Sequence, residues 1–181
     1  FNGNIFIDKA SNLGASFVIY DEKKLNHKSE KTIKVKNALE TLQLLAKHHR
    51  SKFKIPIIGL TGSNGKTTSK ELINSVLSQK FNVTSTSNNF NNHIGVPLTV
   101  LEINRKTDLA IIEMGANHLG EINLLCSIAD PNIGYITNFG KAHLEGFGGI
   151  EGVVKGKSEL YEYIRQKKGV VLVNNDDSIQ R

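Results

Sequence analysis

Apolar residues along this chain fall alternately into short continuous runs and into stripes of three- and four-residue spacing, the pattern of strands alternating with helices. Ile7, Ala10 and Leu13 predict a helix, and residues 16–20 a short apolar strand. From about Lys34 the positions Val35, Ala38, Leu39, Leu42, Leu45 and Ala46 line one helical face, and a basic segment at 48–52 follows. Residues 55–60 predict a strand with Pro56 at its entering end, where a missing N–H does least harm. Leu72, Ile73, Val76, Leu77 and Phe81 predict the next helix, with Lys70, Asn74 and Gln79 off its apolar stripe. Strands at 82–86, 109–113, 133–137 and 170–173 then alternate with helices carrying Ile122, Leu125 and Ile128, and Ile150, Val153, Val154, Leu160, Tyr161 and Ile164. Strand–helix alternation of this kind predicts an α/β fold built on a mostly parallel sheet flanked by helices.

The junction between the run at 55–60 and its helix carries the most informative chemistry. Leu60-Thr61-Gly62-Ser63-Asn64-Gly65-Lys66-Thr67-Thr68 joins strand to helix through a glycine-containing loop. Backbone N–H groups reach phosphate oxygens where no Cβ intervenes, a lysine at the helix start reaches the terminal phosphates, and the following hydroxyl holds Mg²⁺. Gly62, Ser63, Asn64, Gly65, Lys66, Thr67 and Thr68 are therefore the expected nucleotide-binding residues. The strict pattern requires glycine at position 60, which is leucine, so the loop is a variant.

Four further features extend this reading. The strand at 109–113 ends on Glu113, and ligands of open α/β sheets gather at the C-terminal strand ends, so Glu113 is expected beside the loop as a Mg²⁺ ligand. His143 also follows a strand end and is a candidate ligand for a second metal. Lys157 falls in the middle of the apolar stripe of the last helix. Burying an unpaired ammonium is costly, so its side chain either snorkels to solvent, has an anionic partner, or bears a modification that removes its charge. The asparagine-rich segment at 87–93 is either a solvated loop or a surface that hydrogen-bonds a polar ligand.

Composition adds boundaries. Net charge is +6, and residues 1–54 hold eleven Lys and Arg against five Asp and Glu, whereas residues 55–181 hold twelve of each. No aromatic interleaving accompanies the N-terminal lysines, so a solvated basic face is expected and no nucleic-acid module. No apolar run reaches membrane-spanning length, and residues 1–3 lack the basic-then-apolar order of a signal peptide. The one cysteine, Cys126, sits among apolar residues and is expected as a reduced core thiol in a cytoplasmic protein. The adjacent His48 and His49 point to different helix faces and are expected at the surface.

Together these segments resemble the ATP-dependent Mur ligases of peptidoglycan synthesis. The resemblance rests on Thr61 to Thr68, on Asn89-Phe90-Asn91-Asn92-His93-Ile94-Gly95-Val96-Pro97-Leu98-Thr99, on Glu113-Met114-Gly115-Ala116-Asn117-His118, on Ala142-His143-Leu144-Glu145-Gly146-Phe147-Gly148 and on Lys157-Ser158-Glu159. Met114-Gly115-Ala116-Asn117 is similar to the branch that adds D-alanyl-D-alanine to UDP-N-acetylmuramoyl-tripeptide through an acyl phosphate, forming an amide, ADP and phosphate. Alternatives are a sister Mur ligase, a folylpolyglutamate synthase-like ligase, or a P-loop nucleotide-binding module that does not ligate.

The resemblance implies that residues 1–53 are the end of a UDP-substrate-binding N-terminal domain and residues 54–181 a truncated central ATP-binding domain. The family's C-terminal Rossmann-like domain would lie outside the chain, leaving the fragment alone inactive, and a bacterial cytoplasmic monomer is expected. It further implies ATP and two Mg²⁺ sites as cofactors. Lys66 and the loop amides would hold the β- and γ-phosphates, Thr67 and Glu113 one Mg²⁺, and His143 a second. Lys157 would match a lysine carbamylated by CO₂, which helps position the metal, while Thr86, Asn91, Asn92 and Asn117 would face the muropeptide.

Overall fold

A computed structural model describes residues 2–23, 29–140 and 144–181. It divides into two compact units, Phe1–Leu42 and Gln43–Arg181. The divide falls inside a helix, ahead of the 53/54 boundary read from the sequence.

In the first unit, a short 3₁₀ turn at Gly3–Phe6 leads into α1 (Ile7–Asn12), and β1 (Val18–Tyr20) pairs in parallel with β2 (Thr32–Lys34). The sequence pattern missed β2 and started the next helix about Lys34. Instead the Val35 N–H continues the ladder to the Tyr20 carbonyl at 2.8 Å, and α2 runs Ala38–Ser51. Asn37 sets that start: its Oδ1 accepts the Glu40 N–H at 3.0 Å, satisfying an amide the helix cannot. Asp21 Oδ2 accepts the Ala38 N–H at 2.9 Å, and this bond, with a second from Asn4, lowers the Asp21 pKa.

The second unit is a five-stranded parallel sheet in the order β4-β5-β3-β6-β7, formed by β3 (Ile57–Thr61), β4 (Val83–Ser85), β5 (Leu109–Glu113), β6 (Ile133–Ile136) and β7 (Val170–Leu172). Every residue of β5 is buried, as expected of a parallel strand covered on both faces. The helices are α3 (Lys66–Leu77), α4 (Gly95–Leu101), α5 (Glu121–Ala129), α6 (Leu144–Phe147) and α7 (Ile150–Gln166). α5 and α7 pack on each other and on β3. Gly59 and Gly134 stand side by side in the β3–β6 register beneath α7, and a Cβ at either would lie 3.0–3.1 Å from Leu160 or Ile164. That pair lets α7, and with it Lys157, approach the sheet closely.

Two apolar stripes differ from expectation. On α3, Leu72 is 64% and Val76 70% exposed, whereas Lys70, read as off the stripe, is 1% exposed. The less exposed face runs Lys66, Lys70, Ile73, Leu77, of which only Lys70 is fully buried, and Lys70 is tolerated there because Nζ donates to the Thr86 carbonyl at 2.6 Å and pairs with Glu71 at 2.7 Å. On α2, Leu39 and Leu45 are exposed while Ala46 and Arg50 are buried. The strand at the chain's end is an edge strand, β7, exposed along its length.

Arg50, read from the sequence as part of a surface basic segment, serves as an internal clamp. Its guanidinium donates to the Ala129, Asp130 and Ile55 carbonyls at 2.9, 3.1 and 3.3 Å and to that of Phe53. These bonds close the C-terminal end of α5 and the turn into β3. We expect Arg50→Met to destabilise the second unit by about 2–4 kcal/mol in denaturant unfolding, because the stem is replaced but buried carbonyls lose their donor.

Candidate active site

Everything at the C-terminal edge of β3, β5 and β6 converges on the loop between β3 and α3. Gly62 and Gly65 sit at φ 149° and 74°, which favour glycine, and a Cβ at Gly62 would meet the Thr137 hydroxyl at 1.8 Å. α3 begins at Lys66, so its first N–H groups lie where no intrahelical acceptor exists, beside the positive end of the helix dipole. Lys66 Nζ curls back to the Gly62 carbonyl at 2.8 Å. Burial lowers the Lys66 pKa, and the nearby Glu113 carboxylate partly opposes this.

Glu113 is 1% exposed and held from three directions. Thr67 Oγ1 donates to Oε2 at 3.0 Å, Asn91 Nδ2 donates to Oε1 at 2.8 Å, and the backbone N–H donates to Thr86 Oγ1 at 2.9 Å. The expectation that the strand-end carboxylate meets the loop is met in this geometry. Thr67 and Glu113 present hard oxygen donors side by side, the donor chemistry Mg²⁺ prefers. Among the described residues no cluster of three His, Cys, Asp or Glu side chains exists, and His143 lies outside the described residues.

Beside the loop opens a cavity of about 460 Å³ whose walls include Lys66, Asn91, Asn92, Asn117, Glu121 and Lys157. Lys157 is 1% exposed with Nζ 5.5 Å from the centre of the Phe147 ring, so the side chain turns into this cavity instead of snorkelling to the outside. Burial foremost, then the neighbouring Lys66 charge, lowers its pKa to about 8. Asn92 Oδ1 accepts the Ile94 and Gly95 N–H groups at 3.0 and 2.9 Å, fixing the entry to α4, and the Asn117 N–H donates to Glu121 Oε2 at 2.6 Å. Thr86 departs from its expected role. It is 1% exposed, is not among the cavity walls, and its hydroxyl and carbonyl are taken by Glu113 and Lys70. Thr68 is exposed in the first turn of α3. Cys126 is a buried thiol whose pKa is pushed up by burial.

Four contributors were given no role in the sequence reading. Lys70 supports Thr86 and through it the Glu113 backbone; its spacing of four from Lys66 was the available signal. Glu159 on α7 accepts the Gly120 and Asn123 N–H groups at 2.6 and 2.9 Å, capping α5 from outside and fixing the two helices that flank the cavity. Asn138 and Thr137, polar residues directly after β6, contact the phosphate-binding loop.

A parallel α/β sheet with a lysine-bearing glycine loop at its carboxyl edge, backed by a strand-end carboxylate, defines a nucleotide-binding domain of the P-loop type. Residues 60–181 match the Mur ligase middle domain, and the chain belongs to the Mur ligase family. It is 37% identical over 181 residues to the UDP-N-acetylmuramoyl-tripeptide–D-alanyl-D-alanine ligase of Bacillus subtilis, covering 99% of this chain and 40% of that protein. The enzyme of the same name from Mycobacterium leprae is 46% identical over 123 residues, 68% of this chain and 24% of that one. Among solved structures, MurF from Acinetobacter baumannii aligns with a TM-score of 0.88 at 34% identity, covering 99% of this chain and 39% of that one. MurF ligase from Thermotoga maritima in complex with ADP aligns at 0.80 and 36%, covering 90% and 38%. The chain thus spans about two fifths of the length of the relatives it matches.

Proposed function

We propose that the full-length protein is an ATP-dependent ligase that joins D-alanyl-D-alanine to the terminal carboxylate of UDP-N-acetylmuramoyl-tripeptide, in the bacterial cytoplasm where ATP and the UDP-linked precursor meet. The observation that carries this reading is the convergence of Lys66, the Thr67–Glu113 pair at 3.0 Å and the inward-turned Lys157 around one amide-lined cavity. A binding module that only holds nucleotide has no use for a buried cation and a second, asparagine-walled space beside the phosphates.

In this reading residues 1–53 finish a UDP-substrate-binding domain and residues 54–181 form the ATP-binding domain. The N–H groups at the start of α3 and Lys66 hold the β- and γ-phosphates, and Asn91, Asn92 and Asn117 orient the peptide carboxylate toward the γ-phosphorus. Transfer of the γ-phosphoryl group gives an acyl phosphate, and the amine of the dipeptide displaces phosphate to form the amide. Lys66 stabilises negative charge on the transferring oxygens. Mg²⁺, held by Thr67 and Glu113, with His143 at a second site, would supply charge neutralisation there. The depressed Lys157 pKa favours the neutral amine, which adds to CO₂ with loss of a proton and turns a cation into a carbamate suited to the metal side of the site.

The test is phosphate release from ATP by the full-length protein with each substrate alone and with both. Release that requires both the muropeptide and D-alanyl-D-alanine supports the reading. Release with a folate or with a different amine reassigns the substrate, and nucleotide binding without substrate-dependent release with any acceptor overturns ligation.

A further inference from the structure

The phosphate-binding loop is held from outside by the end of β6. The Asn138 carbonyl accepts the Ser63 N–H at 3.1 Å, Asn138 Oδ1 accepts the Asn64 N–H at 3.2 Å, and Asn138 Nδ2 donates to the Asn64 carbonyl at 3.0 Å. Thr137 Oγ1 donates to the same Asn64 carbonyl at 2.7 Å, and Ser63 Oγ donates to the Gly140 carbonyl at 2.9 Å. A side-chain amide that meets both the N–H and the C=O of one residue reproduces a backbone pairing, so Asn138 extends the β3–β6 ladder past its last strand residues into the loop.

Two consequences follow. The N–H groups of Ser63 and Asn64 already have acceptors, so the amides left for phosphate oxygens are those from Gly65 onward, at the start of α3. In addition, the first half of the loop is held by the protein's own hydrogen bonds, independently of any contact to a nucleotide. A loop that must be ordered on binding spends part of the interaction energy doing so, and a preorganised one does not.

We propose that Asn138 is a positioning residue for nucleotide binding: its amide clamps Asn64 and so fixes the curvature that presents the α3 amides and Lys66 to the β- and γ-phosphates. The proposal rests on the reading of this loop as the phosphate site. The clamp acts on the phosphates and not on the nucleoside, so its loss has a signature. Asn138→Ala is expected to weaken ADP and ATP binding by about 10-fold or more while leaving adenosine binding and the thermal unfolding midpoint near those of the parent. Asn138→Asp is near-isosteric and keeps the acceptor for the Asn64 N–H but sets a carboxylate against the Asn64 carbonyl. It is expected to bind ADP still more weakly, and it stands in should the alanine variant fail to fold.

The experiment is calorimetric titration of the full-length parent and both variants with adenosine, ADP and ATP, alongside circular dichroism melts. ADP affinity within twofold of the parent in a folded variant overturns the clamp. Equal losses for adenosine and ADP overturn it too, by showing general damage to the site. A parent that binds neither ADP nor ATP overturns the phosphate-loop reading itself, and the clamp with it.

Discussion

Replacing Lys66 by alanine in the full-length protein is expected to lower substrate-dependent ATP turnover by at least about 10³-fold, with the fold retained. The expectation rests on where the ammonium sits. It stands at the first residue of α3, folded back on the Gly62 carbonyl at 2.8 Å, and it shares the cavity with Lys157 and the asparagines. In the proposed reaction its charge would lie beside the oxygens of the transferring phosphoryl group, where negative charge develops. Because Lys66 is only partly buried and its pKa is lowered chiefly by desolvation, its removal costs little stability beyond the donor lost to the Gly62 carbonyl. A steady-state assay paired with an unfolding curve separates the two effects. Full activity in the alanine variant would refute the role given to Lys66.

Lys157→Met is expected to move stability and activity in opposite directions. The unmodified amine is 1% exposed and, among the described residues, faces the Phe147 ring with no ion pair, so the folded state resists its protonation and burial lowers its pKa from the ordinary 10.5 to about 8. The sign follows from linkage. Between these two values the unfolded chain binds more protons than the folded one, so stability rises with pH across that window. Below about pH 8 both states are charged and the full burial cost applies. Methionine keeps the stem and removes the charge, so at pH 7 the variant is expected to be more stable by roughly 2–3 kcal/mol, an advantage that fades above about pH 10. Under the proposed function, ligation, by contrast, should be lost to background, since no amine would remain to take up CO₂. Urea titrations at pH 7 and pH 10 with an activity assay test both halves; a methionine variant less stable than the parent at pH 7 would contradict the burial argument.

The alternation of apolar runs and helical stripes was sufficient to read the parallel sheet, and β5 ends on Glu113 as its pattern implied. The loop at 61–68 was legible because glycine placement and a lysine at a helix start are local facts, decided within eight residues. Asn91 and Lys157 were also legible, one from a segment too polar to pack and the other as a charge in an apolar stripe.

What sequence could not determine is which groups satisfy one another across the sheet edge. The burial of Lys70 and Arg50 depends on carbonyls at Thr86, Ala129 and Asp130, brought near only by packing, so the periodicity of α3 and α2 placed Ile73, Leu77 and Ala46 inward but missed the two buried cations and put Leu72, Val76, Leu39 and Leu45 on the wrong side. Thr86 looked like a ligand-facing residue until its hydroxyl was found under the Glu113 N–H, and Asn138 was a nameless strand-end residue until β6 lay beside β3. Periodicity and local motifs encode what a segment prefers by itself. Hydrogen-bond partners so far apart in the chain are chosen by the register of the strands and by the close seating of α7 over Gly59 and Gly134, and that choice belongs to the tertiary structure.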